Sequence, residues 1–314
     1  MMFGKAWNMV KKKTGEWKKL FKATYKKWVK DDPFRQSAVI AYYAIFSIPA
    51  LLIIVIDVAG AVFGKAAISG KLASTLIQLL GQDAATQVQD TIIKASVDGH
   101  SLPATLIGIA TTMAGALGVF TELQNSFNYI WEVKPKADVK FLEVLKDKLF
   151  SFGLLLSISF LLLISLVFTA AISALSEWIS AHATIFATIS LTLFDIIISY
   201  LVIALLFALM FRILPSAKIR WKYAWAGAKL TSALFIIGKY ALGFYFGKFH
   251  PASAYGTAGS IVLILLWVSY SCMIVFFGAE FTKQYSKKDL GRIIPKKIAE
   301  NTSTQLTSAV SPKH

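Results

Sequence analysis

Cysteine is almost missing from this chain of 314 residues: Cys272 stands alone inside an apolar stretch, so no intramolecular disulfide and no cysteine-based metal site can form. Histidine is scarce too. His100, His182 and His250 fall in three separate connections and His314 is the last residue; a shared metal or proton-sensing site would need the three loops to meet, and incidental loop positions are the ordinary case. Charged residues make up only 16% of the chain, against about 25% in soluble domains. No HExxH, Walker A loop or GxSxG elbow occurs. These absences exclude a disulfide scaffold and remove every familiar catalytic motif. The chain is therefore expected not to be an enzyme and to need no cofactor and no metal.

What is abundant is apolar sequence. Hydrophobic residues are 56% of the chain and the mean hydropathy is +0.61, above the roughly 45–50% apolar content of soluble proteins. They form blocks at 37–63, 103–127, 149–175, 185–211, 223–247 and 256–281, each long enough to cross about 30 Å of hydrocarbon, which takes about 20 residues of helix. The second is the least clean, because Thr121, Glu122, Gln124 and Asn125 make its last turns polar. The expected fold is all-α: a polytopic membrane protein of six transmembrane helices.

Charge orients these helices, since Lys and Arg are retained on the cytoplasmic side. Segments 1–36, 132–148, 212–222 and 282–314 hold 27 of the 33 Lys and Arg, whereas 64–102, 176–184 and 248–255 hold 4. Both termini are thus expected in the cytoplasm. The formal charge of +16 becomes a property of one membrane face, where anionic lipid headgroups are the expected partners and nucleic acid is not. A second copy of the chain or another envelope protein is the other partner class considered.

Residues 1–36 lack the apolar core of a signal peptide, so the first apolar block is expected to act as the insertion signal. Trp7, Val10, Thr14, Trp17, Phe21, Tyr25 and Trp28 recur at spacings of three and four, with Lys11, Lys12, Lys18, Lys19, Lys22 and Lys26 mostly between them. That periodicity predicts an amphipathic helix in the headgroup region. Ile68, Leu72, Leu76, Leu79, Leu80, Val88, Ile92 and Ile93 predict an outer helical cap over 64–102. The polar stretch 282–314 reads as a disordered cytoplasmic tail.

Ionisable groups inside the apolar blocks cost several kcal/mol each unless paired, hydrated or snorkelling. They are Asp57, Glu122, Asp195, Lys229 and Lys239, with Glu280 at the inner end of the last block. At about 1.5 Å per residue, Asp57, Asp195 and Lys239 fall on the outer side of the midplane and Glu122 with Lys229 on the inner side. Opposite charges at matched depth make either a polar pathway or structural ion pairs, and the two readings carry equal weight. Glu280 could cap or pair with the Lys218–Lys222 connection or gate an inner vestibule. Pro49 should kink the first helix. Gly243 with Gly247, and Gly115 with Gly118, offer close-packing surfaces.

Three stretches carry a resemblance. The first is Ala41, Tyr42, Tyr43, Ala44, Phe46, Ser47 and Pro49; the second is Leu214 and Pro215, then Trp225, Gly227 and Ala228. The third is Tyr255, Gly256 and Gly259, then Trp267, Tyr270, Gly278, Ala279 and Glu280. In this order the sequence resembles the YihY/BrkB membrane protein family, once labelled ribonuclease BN. The resemblance implies six helices in a bacterial inner membrane and leaves the activity open. Tyr42, Tyr43 and Trp267 read as aromatic anchors, and Pro215, Gly256 and Gly278 as packing positions. By analogy with envelope roles in that family, the expected function is a transporter or flippase-like protein for an anionic lipid or small solute. A non-transporting envelope integrity or assembly factor is the alternative. A membrane-anchored ribonuclease ranks third, because no cytoplasmic carboxylate cluster beyond Asp31 and Asp32 is present to bind a catalytic metal.

Overall fold

The computed structural model describes residues 2–47, 102–136, 153, 185–249, 251, 255, 258–291, 293–296 and 299–302, with side chains excluded at 2–14, 102–113, 185–196, 199 and 260. Within these residues the protein is mostly helical: α1 (Met2–Lys30), a helix over 33–47, α2 (Leu102–Ile130), α3 (Ile185–Ile213), α4 (Trp221–Phe249) and α5 (Gly259–Leu290). A two-stranded antiparallel sheet of β1 (Val133–Pro135) and β2 (Ala299–Asn301) is added, with Lys134 opposite Glu300. Among the described residues two helices are long and apolar enough to cross a membrane, Trp221–Phe249 and Ile261–Leu290.

Local chemistry explains where the elements stop. The sequence predicts one helix over 1–36, but the chain breaks at Asp31 and Asp32. Asp32 takes a left-handed φ of 50°, and its carboxylate accepts from Arg35 N at 3.4 Å as an N-cap. Pro33 then opens the next helix, where its missing N–H costs nothing. Helix α3 ends before Leu214 and Pro215; Ser216 N donates to Asn128 Oδ1 at 2.7 Å. The last helix does not end at 281. It runs to Leu290 and is closed by Gly291 at φ 69°, whose N–H reaches Lys287 O at 2.8 Å.

Residues 282–291, 293–296 and 299–302 therefore differ from the disordered tail expected of their composition. Lys218 N donates to Ile294 O and Lys296 N to Ser216 O, while β2 pairs with β1. The backbone pairing, not apolar burial, holds this polar segment, which is why hydropathy gave no sign of it.

The contacts divide the chain into two compact units. Unit 1 comprises Met1–Asp31, Phe127–Ala233 and Phe277–His314; unit 2 comprises Asp32–Ser126 and Leu234–Phe276. In unit 1, Phe127 lies 5.9 Å from Phe211 between ring centroids, with Trp131, Ala204, Ala208 and Leu214 also buried. Here α4 and α5 meet backbone to backbone. A Cβ on Gly227 would strike Thr282 Oγ1, and one on Gly278 would strike Thr231 Oγ1. Both threonines turn their hydroxyls onto their own helices, to Gly227 O at 2.8 Å and Gly278 O at 2.7 Å, so no polar group is stranded at the crossing. In unit 2, Gly115 and Gly118 seat against Phe46 and Tyr43, as their spacing suggested, and Phe235 meets Trp267 edge to face at 6.1 Å. Gly247, by contrast, meets no neighbour among the described residues where the GxxxG reading places one.

Candidate functional site

Three elements of unit 1 bring ionisable side chains to one place. Helix α1 supplies Lys27 and the residue after it is Asp31; Glu132 is the second residue after α2, and α5 supplies Glu280, Lys283 and Lys287. The α5 residues fall at intervals of three and four, which puts them on one helical face. Glu132 is the hub: Lys283 Nζ donates to its Oε1 at 3.0 Å, Lys27 Nζ lies 3.4 Å from the same oxygen, and Lys287 Nζ lies 3.4 Å from Oε2. Lys27 also donates to Asp31 Oδ1 at 2.8 Å. Three carboxylates balance three ammonium groups.

The backbone at Glu132 is unusual. Its φ is 55°, in the left-handed region where a helix C-cap normally places glycine or asparagine, and a side chain there costs roughly 1 kcal/mol or more. Its carbonyl accepts from Thr302 N at 3.0 Å, tying β2 to the same point. The strained residue is held by what converges on it.

Burial differs sharply across the network. Lys283 is 0% exposed and Glu280 1%, whereas the Glu132 side chain is 40% exposed. Gln284 Nε2 donates to Glu280 Oε1 at 2.5 Å; Oε2 accepts no hydrogen bond and lies 3.6 Å from Lys283 Nζ. A buried ion pair whose geometry leaves one oxygen unsatisfied is a costly arrangement. For Glu132, partial burial alone would raise the carboxyl. The hydrogen bond and charge of Lys283, with the charges of Lys287 and Lys27, overcome this and hold it at about 2 against the ordinary 4.5. For Lys27, burial would lower the ammonium, but the hydrogen bond and charge of Asp31, with the charges of Glu132 and Glu280, raise it above 10.5.

Of the charges singled out within or at the end of the apolar blocks, only Glu280 belongs to this network among the described residues. Its neighbours are Lys283 and Gln284 of its own helix rather than the Lys218–Lys222 connection. Lys229 is exposed in unit 1, and its carbonyl accepts from Tyr200 Oη at 2.9 Å. In unit 2, Glu122 and Lys239 are half-buried, and Lys239 Nζ lies 5.8 Å from the Tyr240 ring centroid. None of Glu122, Lys229 and Lys239 enters an ion pair among the described residues. Tyr42 is exposed, with edge-to-face contacts to Tyr43 and Phe46, and Pro215 is buried. Pro49, Asp57, Gly256, His100, His182, His250, His314, residues 64–101 and the 149–175 block apart from Gly153 lie outside the described residues, as does the Asp195 side chain. Among the described residues no three His, Cys, Asp or Glu side chains gather as metal ligands would.

Residues 24–300 match the sequence model described as virulence factor BrkB. The chain belongs to the virulence factor BrkB family. Its relatives include membrane proteins named UPF0761. That of Xanthomonas campestris pv. campestris strain B100 is 24% identical over 268 residues, covering 83% of this chain and 59% of the relative. That of Stenotrophomonas maltophilia strain K279a is 25% identical over 264 residues, 82% and 58% of the two chains. A Tolumonas auensis protein of the same name is 32% identical over a shorter stretch of 84 residues, 26% of this chain and 28% of that one. This BrkB-family chain thus spans under three-fifths of the length of the long relatives it matches. No solved structure matches it. It is a membrane protein of the BrkB family, and the relatives' names give no catalytic activity.

Proposed function

We propose that this BrkB-family protein crosses the bacterial inner membrane six times, keeps both termini in the cytoplasm, and moves an anionic lipid or small solute as a transporter or flippase-like protein without catalytic chemistry of its own. The observation that supports this reading is the buried Glu280–Lys283 pair, with Glu132 as its water-facing partner, near the end of the apolar helix α5. Ionisable groups withdrawn from water on such a helix mark a transport path by default. In the orientation that the lysine distribution favours, this end faces the cytoplasm. Lys283 is covered and Glu132 is not, so an arriving anion can replace the Glu132 carboxylate on Lys283. Glu132 then swings into water and the entrance opens. Asp57, Asp195 and Lys239 on the outer side, and Glu122 with Lys229 on the inner, are the further pathway candidates of this reading. The sequence carries no ATP-binding loop, which favours an ion or substrate gradient, or a partner ATPase, as the energy source. Asp57, Asp195 and Glu122 are then the proton carriers.

Reconstituted proteoliposomes provide the test. Labelled phosphatidylglycerol, and separately a small inorganic anion, should cross faster than in protein-free vesicles, and Glu280→Gln should abolish the gain while the protein still elutes as a folded species. Wild-type vesicles that match protein-free ones for both substrates would sink the reading.

A further inference from the structure

A second polar feature of unit 1 is a cleft of about 460 Å³ along α1 and the end of α5, within the roughly 300–1,000 Å³ of small-ligand sites. Helix α1 contributes Glu16, Lys19, Leu20 and Ala23, one face at spacings of three and four; α5 contributes Lys287 and Lys288. Three ammonium groups thus face one carboxylate. Glu16 Oε2 holds Lys288 Nζ at 2.7 Å, and Lys287 is shared with Glu132. Lys19 is exposed and enters no ion pair among the described residues. One effect opposes an anion here, since Gly291 closes α5 at the cleft and a helix C-terminus carries about half a negative charge. With Lys287 set against Glu132, the side chains Lys19, Lys288 and Glu16 still outweigh it, with a net of one positive charge. Lysine is a compact point charge of the kind that binds phosphate.

The surroundings indicate where the phosphate comes from. Beside the cleft, Trp17 stacks on Phe281 and Tyr285 at 6.2 and 6.1 Å, and Phe21 meets Phe281 at 5.4 Å. Yet Trp17 and Phe21 stay 40% and 39% exposed. Half-open aromatics next to lysines suit the level of lipid headgroups rather than bulk water. We propose that this cleft binds a phosphate group, and that the phosphate belongs to the headgroup of an anionic phospholipid lying against Trp17 and Phe21. The site needs no transport to operate, so a binding measurement tests it separately from the flux reading above.

The full-length protein in a neutral detergent should be titrated at fixed ionic strength with short-chain phosphatidylglycerol, short-chain phosphatidylcholine and inorganic phosphate, and binding read by thermophoresis. Phosphatidylglycerol should saturate, phosphatidylcholine should bind more weakly, and Lys19→Gln and Lys288→Gln should each weaken the former by roughly fivefold, the factor expected for one surface lysine facing an anionic headgroup. Both lysines are exposed, so folding should survive these changes. Glu16→Gln should tighten binding by releasing Lys288. Equal binding of the two lipids, or an unchanged affinity in both lysine variants, overturns the proposal. Inorganic phosphate that binds as tightly as phosphatidylglycerol, with the same lysine dependence, overturns the lipid source and assigns the cleft to a soluble anion.

Discussion

Replacing Glu132 by glutamine keeps the side chain's shape and removes the charge that faces Lys27, Lys283 and Lys287. The loss can be sized from the carboxyl itself. A fall from 4.5 to about 2 corresponds to roughly 3.5 kcal/mol at about 1.4 kcal/mol per pH unit. The side chain is 40% exposed, so water and salt screen much of that, leaving about 1–2 kcal/mol. For a chain of this size the expected drop in unfolding temperature is roughly 2–5 °C. Because the folded carboxyl titrates below its unfolded value, its contribution is complete above about pH 4.5 and disappears as the pH falls towards 2. Detergent-solubilised wild type and Glu132→Gln, heated at one scan rate across a pH series, should therefore differ by a constant margin from pH 8 to pH 5 and converge below pH 4.5. A margin that is absent at neutral pH, or that opens only above pH 6, refutes the role given to Glu132.

Two further outcomes are expected. Gly278→Ala places a methyl group against Thr231 Oγ1, with Phe211 Cζ at 3.0 Å, and should destabilise by about 1–3 kcal/mol as an overpacked core does; the pair Gly278→Ala with Thr231→Ala should recover part of the loss in the same thermal assay. Single cysteines introduced at residue 134 and at residue 300, which β1–β2 pairing sets opposite each other, should in a Cys272→Ala background react with a membrane-impermeant maleimide only after the inner membrane is opened. Labelling of either in intact spheroplasts would contradict cytoplasmic placement of the termini.

Much of the architecture could be read from the residues because lipid imposes a simple rule. A helix that crosses hydrocarbon needs an uninterrupted apolar run, so α4 and α5 show directly as blocks of sequence. The close packing of Gly118 on Tyr43 followed from small-residue spacing, and Glu280 was visible as a charge at the end of an apolar run. The rest of the network was not. Glu132 counted only as one acid in a basic connection, and Lys283 and Lys287 only as positive charge beyond the last helix. The available signal was the spacing of Glu280, Lys283, Gln284 and Lys287, one face of a helix continued past its apolar portion. Likewise the β1–β2 pairing joins segments whose apolar content is too small to show.

The sequence by itself determined a helical membrane protein of the BrkB family and the lysine-rich character of its connections, because hydropathy and charge act locally and add along the chain. Only the tertiary structure decided which charges meet. Glu132 and Lys283 are 151 positions apart, and a contact at 3.0 Å between them depends on where α1, α2 and α5 bring their ends together, which no local pattern encodes.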